Sequence, residues 1–374
     1  MALTVHHYFP LGSENVGDPL VARAIRAAVR RHFGEVEFVD VPVNDRYPGN
    51  DRTLGLRGDN IDRANEQADL VIVGGSNLLE ARKPRRHGLF GKKGNWGVYT
   101  DVESLNRLRV PMLLLGMGTG SSFGKSIRPY HPPALDEVRL MFKKAFASAV
   151  RDVTTVDKLR EIGVHTECTG CPVTFLTDLP VAPADPGLPL MVSFPPPRIV
   201  ERVGGRAYLR AAMDYVEWLH EHGRQVVVTL HDMGDVGPAK EWVPPGVEVF
   251  CTPNLDELIA RFEQSCGVIG FRLHAALLGL GLGKPVIPVG VDWRGLAFID
   301  TFEVRDLSTR AHRFGQSAKL RDLTLRLLAN DPVLIGRLAR AKAYYFDCYE
   351  RFLADAATKF RAIAGTAEGM SSAR

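Results

Sequence analysis

Short, almost purely apolar runs alternate with amphipathic helical stretches along nearly the whole of this 374-residue chain. A strand with apolar side chains on both faces is typical of a parallel sheet that helices cover on both sides. Alternation of such strands with helices predicts successive βαβ units. The predicted strands are Val5–Phe9, Val36–Val41, Leu70–Val73, Met112–Leu115, Ala147–Val150, Leu190–Phe194, Val226–Leu230, Glu248–Cys251, Gly267–Phe271 and Pro285–Val291. The sequence therefore predicts an α/β fold built on parallel sheets.

A proline-rich segment divides this series into two. Leu179–Pro189 contains four prolines among small residues, a composition typical of linkers between domains. We expect an N-terminal α/β domain over residues 1–180, a C-terminal α/β domain over 188–330, and a helical segment over 331–365 that packs back across both. Two Rossmann-like domains in this order resemble the glycosyltransferase-B architecture. Loops at the carboxyl ends of both sheets would then converge on a cleft between the domains.

The formal net charge of +4 is modest. A nucleic-acid-binding protein normally concentrates many more basic residues on one face, so we expect no nucleic-acid partner. The charge balance suits an enzyme with small anionic substrates. One dense basic run, residues 82–93, contains glycine and proline and predicts a loop. This loop is either solvated or one that attracts and closes over an acidic substrate.

The five cysteines are scattered, which argues against a disulfide framework and for a reducing compartment. Cys168 and Cys171 have the spacing of a metal or redox pair, but no second pair accompanies them. The N-terminal residues do not resemble a signal peptide, and the longest apolar runs are too short to span a bilayer. We therefore expect a cytoplasmic protein that does not span a membrane.

The strongest candidate site follows the strand Gly267–Phe271, where Arg272 ends the strand and His274 is predicted to begin a helix rich in small residues. The unpaired N–H groups and positive dipole end of a helix favour a phosphate or a carboxylate. Arg272 adds a guanidinium that can hold such an anion with two hydrogen bonds, and His274 can donate to it or pass a proton. The alternative is a buried arginine paired with an acid. Since polar groups at the end of so apolar a strand are costly, we predict a functional site here.

A similar junction lies in the first domain, where Arg151 follows the strand Ala147–Val150. Asp152 is predicted to cap the helix that comes next. Arg151 is placed where a strand meets a helix, and we predict that it faces the cleft.

The segment between the first strand and the first helix carries three polar candidates. Asp18 is predicted to cap this helix, with Pro19 at its first position. Glu14 and Asn15 precede the cap and can reach a ligand. Helix capping alone explains part of this set of polar residues. Two interpretations of the segment therefore stay open, as a cap and as a ligand contact.

Two glycine-rich strand ends, Gly74–Asn77 and Gly116–Gly120, would let backbone N–H groups approach a substrate closely. The second one lacks the third glycine of a dinucleotide fingerprint and is followed by prolines, so we reject an NAD site. His231 and Asp232 follow the strand Val226–Leu230 at an edge that faces the predicted cleft. They are candidates for contact with a substrate.

Taken in order, these segments resemble the polysaccharide pyruvyl transferase family. The resemblance extends from Val5 to about residue 300 and depends on the order of the motifs as a set. The motifs are Asn15-x-Gly17-Asp18, Gly74-Gly75, Gly116-x-Gly118, Ser148-x-x-Arg151-Asp152, Gly170-Cys171-Pro172, Arg272-Leu273-His274-Ala275 and Lys284-Pro285-Val286-Ile287.

The resemblance implies an enzyme that transfers the enolpyruvyl unit of phosphoenolpyruvate to two hydroxyls of a sugar, forming a pyruvyl ketal and releasing phosphate. The family's donor-binding positions fall on Arg151, Arg272, Leu273 and His274. The predicted catalytic residues are His274, Arg272 and Asp18. The predicted acceptor-binding residues are Glu14, Asn15, Ser76, Asn77, His231 and Asp232.

This chemistry fits the residue types independently, because phosphoenolpyruvate carries a phosphate and a carboxylate that suit two arginines and a helix N-terminus. Ketal formation also needs a proton at the methylene carbon and a base for each attacking hydroxyl. His274 is the candidate acid, and Glu14, Asp18 or Asp232 the candidate base. The scheme requires no metal and no cofactor, with phosphoenolpyruvate as co-substrate. We expect a glycan of the cell envelope as acceptor and a homodimer as the commonest assembly.

Other functions remain open at the level of the sequence. A sugar-nucleotide glycosyltransferase, or a pyruvyl transferase that acts on a small metabolite, would share the fold and many of the same residues. A binding protein that kept the fold without catalysis is the third class.

Overall fold

The computed structural model describes residues 2–11, 15–43, 55–81, 96–120, 129–195, 205–310 and 317–371. These residues form two α/β units in succession along the chain. We refer to them as the first half, which holds the sheet between residues 3 and 168, and the second half, which holds the sheet between residues 190 and 310.

The sheet of the first half has six described strands, all parallel, in the order β2-β1-β3-β4-β5-β6. They are β1 (Leu3–Phe9), β2 (Val36–Pro42), β3 (Leu70–Gly74), β4 (Met112–Met117), β5 (Ala147–Val150) and β6 (Glu167–Cys168). Parallel strands need crossover connections, so the carboxyl ends of all six lie at one edge of the sheet.

Helices cover both faces of this sheet. They are α1 (Gly17–Phe33), α2 (Asp59–Gln67), α3 (Val102–Arg107), α4 (Pro132–Lys144) and α5 (Val153–Arg160). Helix α1 buries the apolar face that its periodicity predicts, made of Leu20, Val21, Ala24, Ile25, Ala28 and Val29. The central strands β3 and β4 are buried on both sides, which explains why they lack polar alternation.

The sheet of the second half also has six described parallel strands, in the order β12-β11-β10-β7-β8-β9. They are β7 (Leu190–Ser193), β8 (Val226–Leu230), β9 (Glu248–Cys251), β10 (Gly267–Gly270), β11 (Val286–Gly290) and β12 (Thr309–Arg310). The helices are α6 (Gly205–Glu221), α7 (Val236–Trp242), α8 (Leu255–Glu263), α9 (Leu273–Gly281), α10 (Trp293–Thr301), α11 (Ser317–Leu328) and α12 (Pro332–Ser371).

The two parallel sheets with interleaved helices confirm the predicted fold class. The predicted limits 1–180, 188–330 and 331–365 stay predictions, although the two sheets fall on either side of the proline-rich segment. Two short edge strands, β6 and β12, were not expected from the sequence. Strands of two residues carry too little periodicity to be recognised.

Two predicted helix starts are wrong by one or two residues. Helix α1 begins at Gly17, and Val16 occupies the cap position without a side-chain hydrogen bond, so Asp18 lies inside the first turn and is not the cap. The reason is local. The Asn15 side-chain oxygen accepts a hydrogen bond from the Gly17 N–H at 2.9 Å, and this bond fixes the turn before the position that was predicted for the cap. Helix α9 begins at Leu273 after Arg272, so His274 is its second residue.

The two halves meet at the segment before α1 and the segment after β8. Asn15 forms an isolated bridge with Asp232, and the Val16 N–H donates to the His231 carbonyl oxygen at 3.2 Å. Gly17 lies directly against the imidazole of His274, so closely that a side chain at this position would overlap the ring. The carboxyl ends of the two sheets therefore face each other at close range.

The C-terminal helix α12 contacts both halves. Its Phe360 ring packs at 5.7 Å from the ring of Phe33 in the first half, and its Tyr345 ring lies 5.1 Å from Phe302 in the second half. Lys342 is buried on the same helix, and its Nζ donates to the Leu179 carbonyl oxygen at 2.6 Å. This lysine ties α12 to the proline-rich segment between the sheets.

Substitution of Gly17 by alanine tests how tightly the halves are packed. The new Cβ would overlap Nδ1 of His274. Either the ring or the whole interface must then shift, and overpacking of this kind costs about 1–3 kcal/mol. We expect a corresponding loss in the free energy of unfolding, measured by denaturant titration.

Gly237 in α7 provides the matched control. No atom lies within 4 Å of a Cβ placed there, so Gly237→Ala is expected to leave stability unchanged or to raise it by about 0.4–1 kcal/mol. Equal stabilities for the two variants would show that the halves do not hold His274 against Gly17.

The buried Lys342 predicts a specific pH dependence of stability. Burial lowers the pKa of Lys342 from 10.5 to about 8, and the charge of Asp178 opposes this shift. Between these values the unfolded chain binds more protons than the folded one, so stability rises with pH across this window and falls as pH drops toward 8. Lys342→Met removes the titrating group. From pH 8 to pH 10.5 the free energy of unfolding of the wild type should therefore rise relative to that of the variant. A difference that stays constant across this range would contradict the assignment.

Candidate active site

The polar residues at the N-terminus of α9 are fixed by strands on either side. Arg272 follows β10, and its N–H donates to the Ser193 hydroxyl oxygen at 2.8 Å, at the end of the neighbouring strand β7. Its guanidinium pairs with Asp235, and both side chains are largely buried. The Nε atom of Arg272 is buried without a hydrogen-bond partner in the described part of the chain. Part of the donor capacity of this arginine therefore remains available.

His274 lies between the two halves and is held in its neutral form. Burial is the main reason that its pKa falls well below 6.5, and the charges of Arg294, Arg151 and Arg272 add to the effect, together with His231. In the residues described, no hydrogen bond is recorded for its ring nitrogens. A neutral, desolvated imidazole beside three guanidinium groups can accept a proton when an anion arrives to compensate them.

Arg151 is the cationic group of the first half. Its side chain is 4% exposed, its guanidinium donates to Oδ1 of Asn77, and its Nε lies 3.5 Å from Oδ2 of Asp152. Gly118 lies flat against this guanidinium, because any side chain there would overlap it. Gly118 therefore makes room for an arginine, and its own N–H is not open to a ligand because it donates to the Ser76 carbonyl oxygen.

Asp152 caps α5 as predicted and lies beneath Arg151. Its Oδ1 accepts from the Thr155 N–H at 2.7 Å. Burial raises the pKa of this carboxyl, while Arg151 and the Thr155 hydrogen bonds oppose the rise. The carboxylate thus holds the arginine in place and also caps the N-terminus of α5.

The loop after β3 brings two predicted acceptor residues to the same edge. Gly75 and Ser76 both have positive φ, at 81° and 60°, and this reversal directs the loop back over β4. The Gly118 N–H donates to the Ser76 carbonyl oxygen at 3.0 Å, which fixes the two glycine-rich strand ends to each other. Asn77 then accepts from Arg151 and is half-buried.

Arg294 is a site residue that the sequence reasoning missed. It lies in the first turn of α10, directly after β11, and is about one third exposed at 32%. Its Nε donates to Oδ2 of Asp292 at 2.7 Å, and Oδ1 of the same carboxylate accepts from the Gly295 N–H at 3.1 Å. The available signal was its position, since it follows the carboxyl end of a buried strand as Arg151 and Arg272 do.

Asp18, a predicted catalytic residue, lies on the first half in the opening turn of α1. Its charge, with those of Asp292 and Glu80, raises the pKa of Arg294 in the second half. Asp18 therefore lies near Arg294 across the junction. Its role as a base stays a prediction.

His231 and Asp232 occupy the segment that joins the halves. His231 is buried with both ring nitrogens unpartnered in the described residues, and burial, with the charge of Arg272, lowers its pKa to about 3. Asp232 accepts from the Gly234 N–H at 3.0 Å and caps a short 3₁₀ turn. Its side chain thus has a structural role, and its prediction as an acceptor contact stays untested.

A small cavity of about 30 Å³ lies between Asn15 and the starts of α9 and α10, and Arg151, Ser76, Asn77 and Asp18 are not among the residues that line it. Its walls come from the segment before α1 and from the N-terminal turns of α9 and α10. The polar residues that line it are Asn15, Arg272, His274, Asp292 and Arg294, and Leu273 adds a half-buried apolar wall. Among the predicted site residues, Glu14 and the basic run 82–93 lie outside the described residues.

The thiols of Cys168 and Cys171 are both less acidic than a free cysteine. Burial raises the pKa of the Cys168 thiol to about 12 and also raises that of Cys171. In the described ranges no group of three His, Cys, Asp or Glu side chains is arranged to hold a metal ion. In the same ranges no helix is long and apolar enough to cross a membrane.

Three solved structures resemble this one over nearly their whole length. The UDP-GlcNAc 2-epimerase from Neisseria meningitidis bound to UDP-GlcNAc has a TM-score of 0.52 and 10% identity, and the match covers 99% of this chain and 100% of that one. The sucrose-phosphate synthase from Thermosynechococcus elongatus has a TM-score of 0.51 and 12% identity, with coverage of 97% and 100%. The spinosyn forosaminyltransferase SpnP has a TM-score of 0.50 and 15% identity, with coverage of 98% and 100%.

At such low identity these similarities establish the fold, which is that of glycosyltransferase-B enzymes and related epimerases. A search of curated proteins gave no match. The sequence matches the polysaccharide pyruvyl transferase family over residues 15–292, a range that includes every predicted site residue except Glu14. Because this match covers well over half of the chain, the protein belongs to the polysaccharide pyruvyl transferase family, a family of saccharide-modifying transferases.

Proposed function

We propose that this protein transfers the enolpyruvyl group of phosphoenolpyruvate to two hydroxyls of a saccharide, forming a pyruvyl ketal and releasing phosphate. Membership of the family and the fold support a transferase that modifies a saccharide. The observation that carries the finer proposal is the position of Arg151 and Arg272 around the neutral His274, between the two halves. The proposal needs no metal and no cofactor besides the donor.

The donor has two anionic groups that match these side chains. A guanidinium presents several N–H donors in a planar fork, which suits a phosphate or a carboxylate. Arg272 uses part of its fork on Asp235 and keeps its buried Nε free of a partner in the described residues. The first N–H groups of α9 and its dipole add to the attraction for an anion. Arg151 contributes a second guanidinium from the first half.

The reaction balances with two hydroxyls and one donor. The first hydroxyl gives up its proton and its oxygen bonds to C2 of phosphoenolpyruvate, while the methylene carbon takes up one proton and becomes a methyl group, so protons balance in this step. The C2–O bond to phosphate then breaks, and the phosphate leaves with the electron pair. The second hydroxyl oxygen bonds to C2 and completes the ketal, while the second hydroxyl proton leaves with the phosphate. Positive groups beside the donor stabilise the negative charge that builds up on the departing phosphate.

His274 is the proposed acid that delivers the proton to the methylene carbon. Burial and the nearby arginines keep it neutral in the free protein. Binding of an anion next to it raises its pKa, because opposite charge favours the protonated form. Binding of the donor therefore protonates the imidazole when the reaction needs an acid. Asp18 is the proposed base on the acceptor side.

The acceptor binds on the side of the first half. Asn15, Ser76 and Asn77 lie there at the ends of loops that follow β1 and β3. Hydroxyl and amide side chains of this kind suit the hydroxyl groups of a sugar. We propose a saccharide as the acceptor on this ground and on the ground of the family.

Binding of the donor is the first prediction of this proposal. A ligand that binds only the folded state at 100 times its Kd raises stability by about 2.7 kcal/mol, which corresponds to several degrees in Tm. We expect millimolar phosphoenolpyruvate to raise the Tm of the wild type. We expect no rise in the double variant Arg272→Gln with Asp235→Asn, which removes both charges of the pair and leaves no buried charge uncompensated.

The double variant Arg261→Gln with Glu248→Asn is the matched control, since it removes an ion pair of the same half outside the site. It should respond to the donor as the wild type does. Absence of any shift in the wild type, together with a selective shift by a nucleotide sugar, would overturn the proposal in favour of a glycosyltransferase. If the donor binds, release of phosphate in the presence of candidate glycans identifies the acceptor.

Proton uptake on donor binding is the second prediction. The pKa of His274 rises when the anion binds, so the complex takes up as much as about one proton from the buffer near neutral pH. Calorimetric titrations in buffers of different ionisation enthalpy measure this uptake. We expect His274→Asn to remove it and His220→Asn, at an exposed helix end, to keep it. Equal uptake in all three proteins would show that His274 does not receive the proton.

A further inference from the structure

Two helix N-termini meet at the cavity, although the motifs of the family mark only one of them. Arg272, Leu273 and His274 come from the start of α9, and Asp292, Arg294 and Gly295 from the start of α10. Each helix has nine residues and follows a buried parallel strand. Two positive helix ends directed at one small space form a strong attraction for an anion.

The cavity walls also contain polar atoms that lack partners. Nε of Arg272 is buried without a hydrogen bond in the described residues. The imidazole of His274 is nine-tenths buried, lines the cavity and has no recorded hydrogen bond in the same residues. Buried polar groups normally have partners, so these atoms indicate that a ligand completes the site.

Arg294 is held so that one edge of its guanidinium stays available. Its Nε and Nη2 both donate to a single carboxylate oxygen of Asp292. No partner of Nη1 is recorded in the described part of the chain. Since the other oxygen of Asp292 accepts from the Gly295 N–H at 3.1 Å, the carboxylate is fixed at the start of α10 and fixes the arginine in turn.

Arg294 also contacts the first half of the protein. A Cβ at Gly120 would lie 2.9 Å from its Cγ, so the stem of the arginine rests on this glycine across the junction. The residue is therefore placed between the halves, as His274 is against Gly17.

We infer that Arg294, positioned by Asp292, is a third donor-binding arginine, which holds the phosphate group of phosphoenolpyruvate together with Arg272 and the first turn of α9. This inference rests on the proposed function and assigns the phosphate group of the donor to the starts of α9 and α10. A phosphate ester has three acceptor oxygens and close to two negative charges near neutral pH, which suits two guanidinium groups and two helix ends.

Inorganic phosphate, the released product, is the probe that tests this assignment. We would measure its affinity by isothermal titration for wild type and for the double variant Arg294→Gln with Asp292→Asn. Loss of a hydrogen bond to a charged group weakens binding roughly tenfold to hundredfold, and this is the expected result. The control is Arg305→Gln with Asp300→Asn, an exposed ion pair at the other end of α10, which should bind phosphate as the wild type does.

The single variant Asp292→Asn separates positioning from folding. Asparagine is a good helix cap and can still accept from the Gly295 N–H, so α10 is kept while the guanidinium loses its charged partner. We expect weaker phosphate binding, and addition of free guanidinium to Arg294→Ala should restore part of the lost affinity. Wild-type phosphate affinity in both the double variant and Asp292→Asn would overturn the inference.

The same titrations distinguish this inference from the proposed function. If phosphoenolpyruvate binding depends on Arg272 while phosphate binding is indifferent to Arg294, the inference fails and the proposed function stands. If the wild type binds neither phosphoenolpyruvate nor phosphate, both fail together.

Discussion

The contact between Gly17 and His274 is the constraint on which the site depends. It brings the start of α1 in the first half against the start of α9 in the second. Because a side chain at residue 17 would overlap the imidazole, only glycine allows the helix ends to approach this closely. The approach removes water from His274 and places Arg151 of one half and Arg272 and Arg294 of the other around it. Neither half alone forms this electrostatic environment.

The three arginines share one mode of support. Each follows the carboxyl end of a parallel strand, and each lies beside a carboxylate, which is Asp152 for Arg151, Asp235 for Arg272 and Asp292 for Arg294. Two of these carboxylates also cap the following helix. The guanidinium groups are therefore oriented before any ligand arrives. Preorganised charge of this kind needs little rearrangement when negative charge develops on a substrate.

Much of the fold could be predicted because it depends on local pattern. Apolar runs located ten of the strands, and Arg151 and Arg272 could be singled out because charged residues at the end of an apolar strand conflict with their surroundings. Arg294 also follows a strand, but it belongs to no motif that was recognised. Its place in the site depends on contacts with Gly120 and Asp292, which only the folded chain creates. The cap assigned to Asp18 was wrong because a competing side chain, that of Asn15, orders the turn one step earlier.

Paired charges and unpartnered polar atoms between the halves are costly for folding, so other regions must compensate for them. Removing charged groups from water requires good geometry even when they are paired, and His231 keeps both ring nitrogens buried without partners in the described residues. The compensation comes from an apolar core that is continuous across the junction, from Leu20 and Ile25 on α1 through Val173 and Phe175 to Leu278 on α9. That core supports a site whose polar atoms are incompletely paired, and incomplete pairing is what leaves them able to bind a charged substrate.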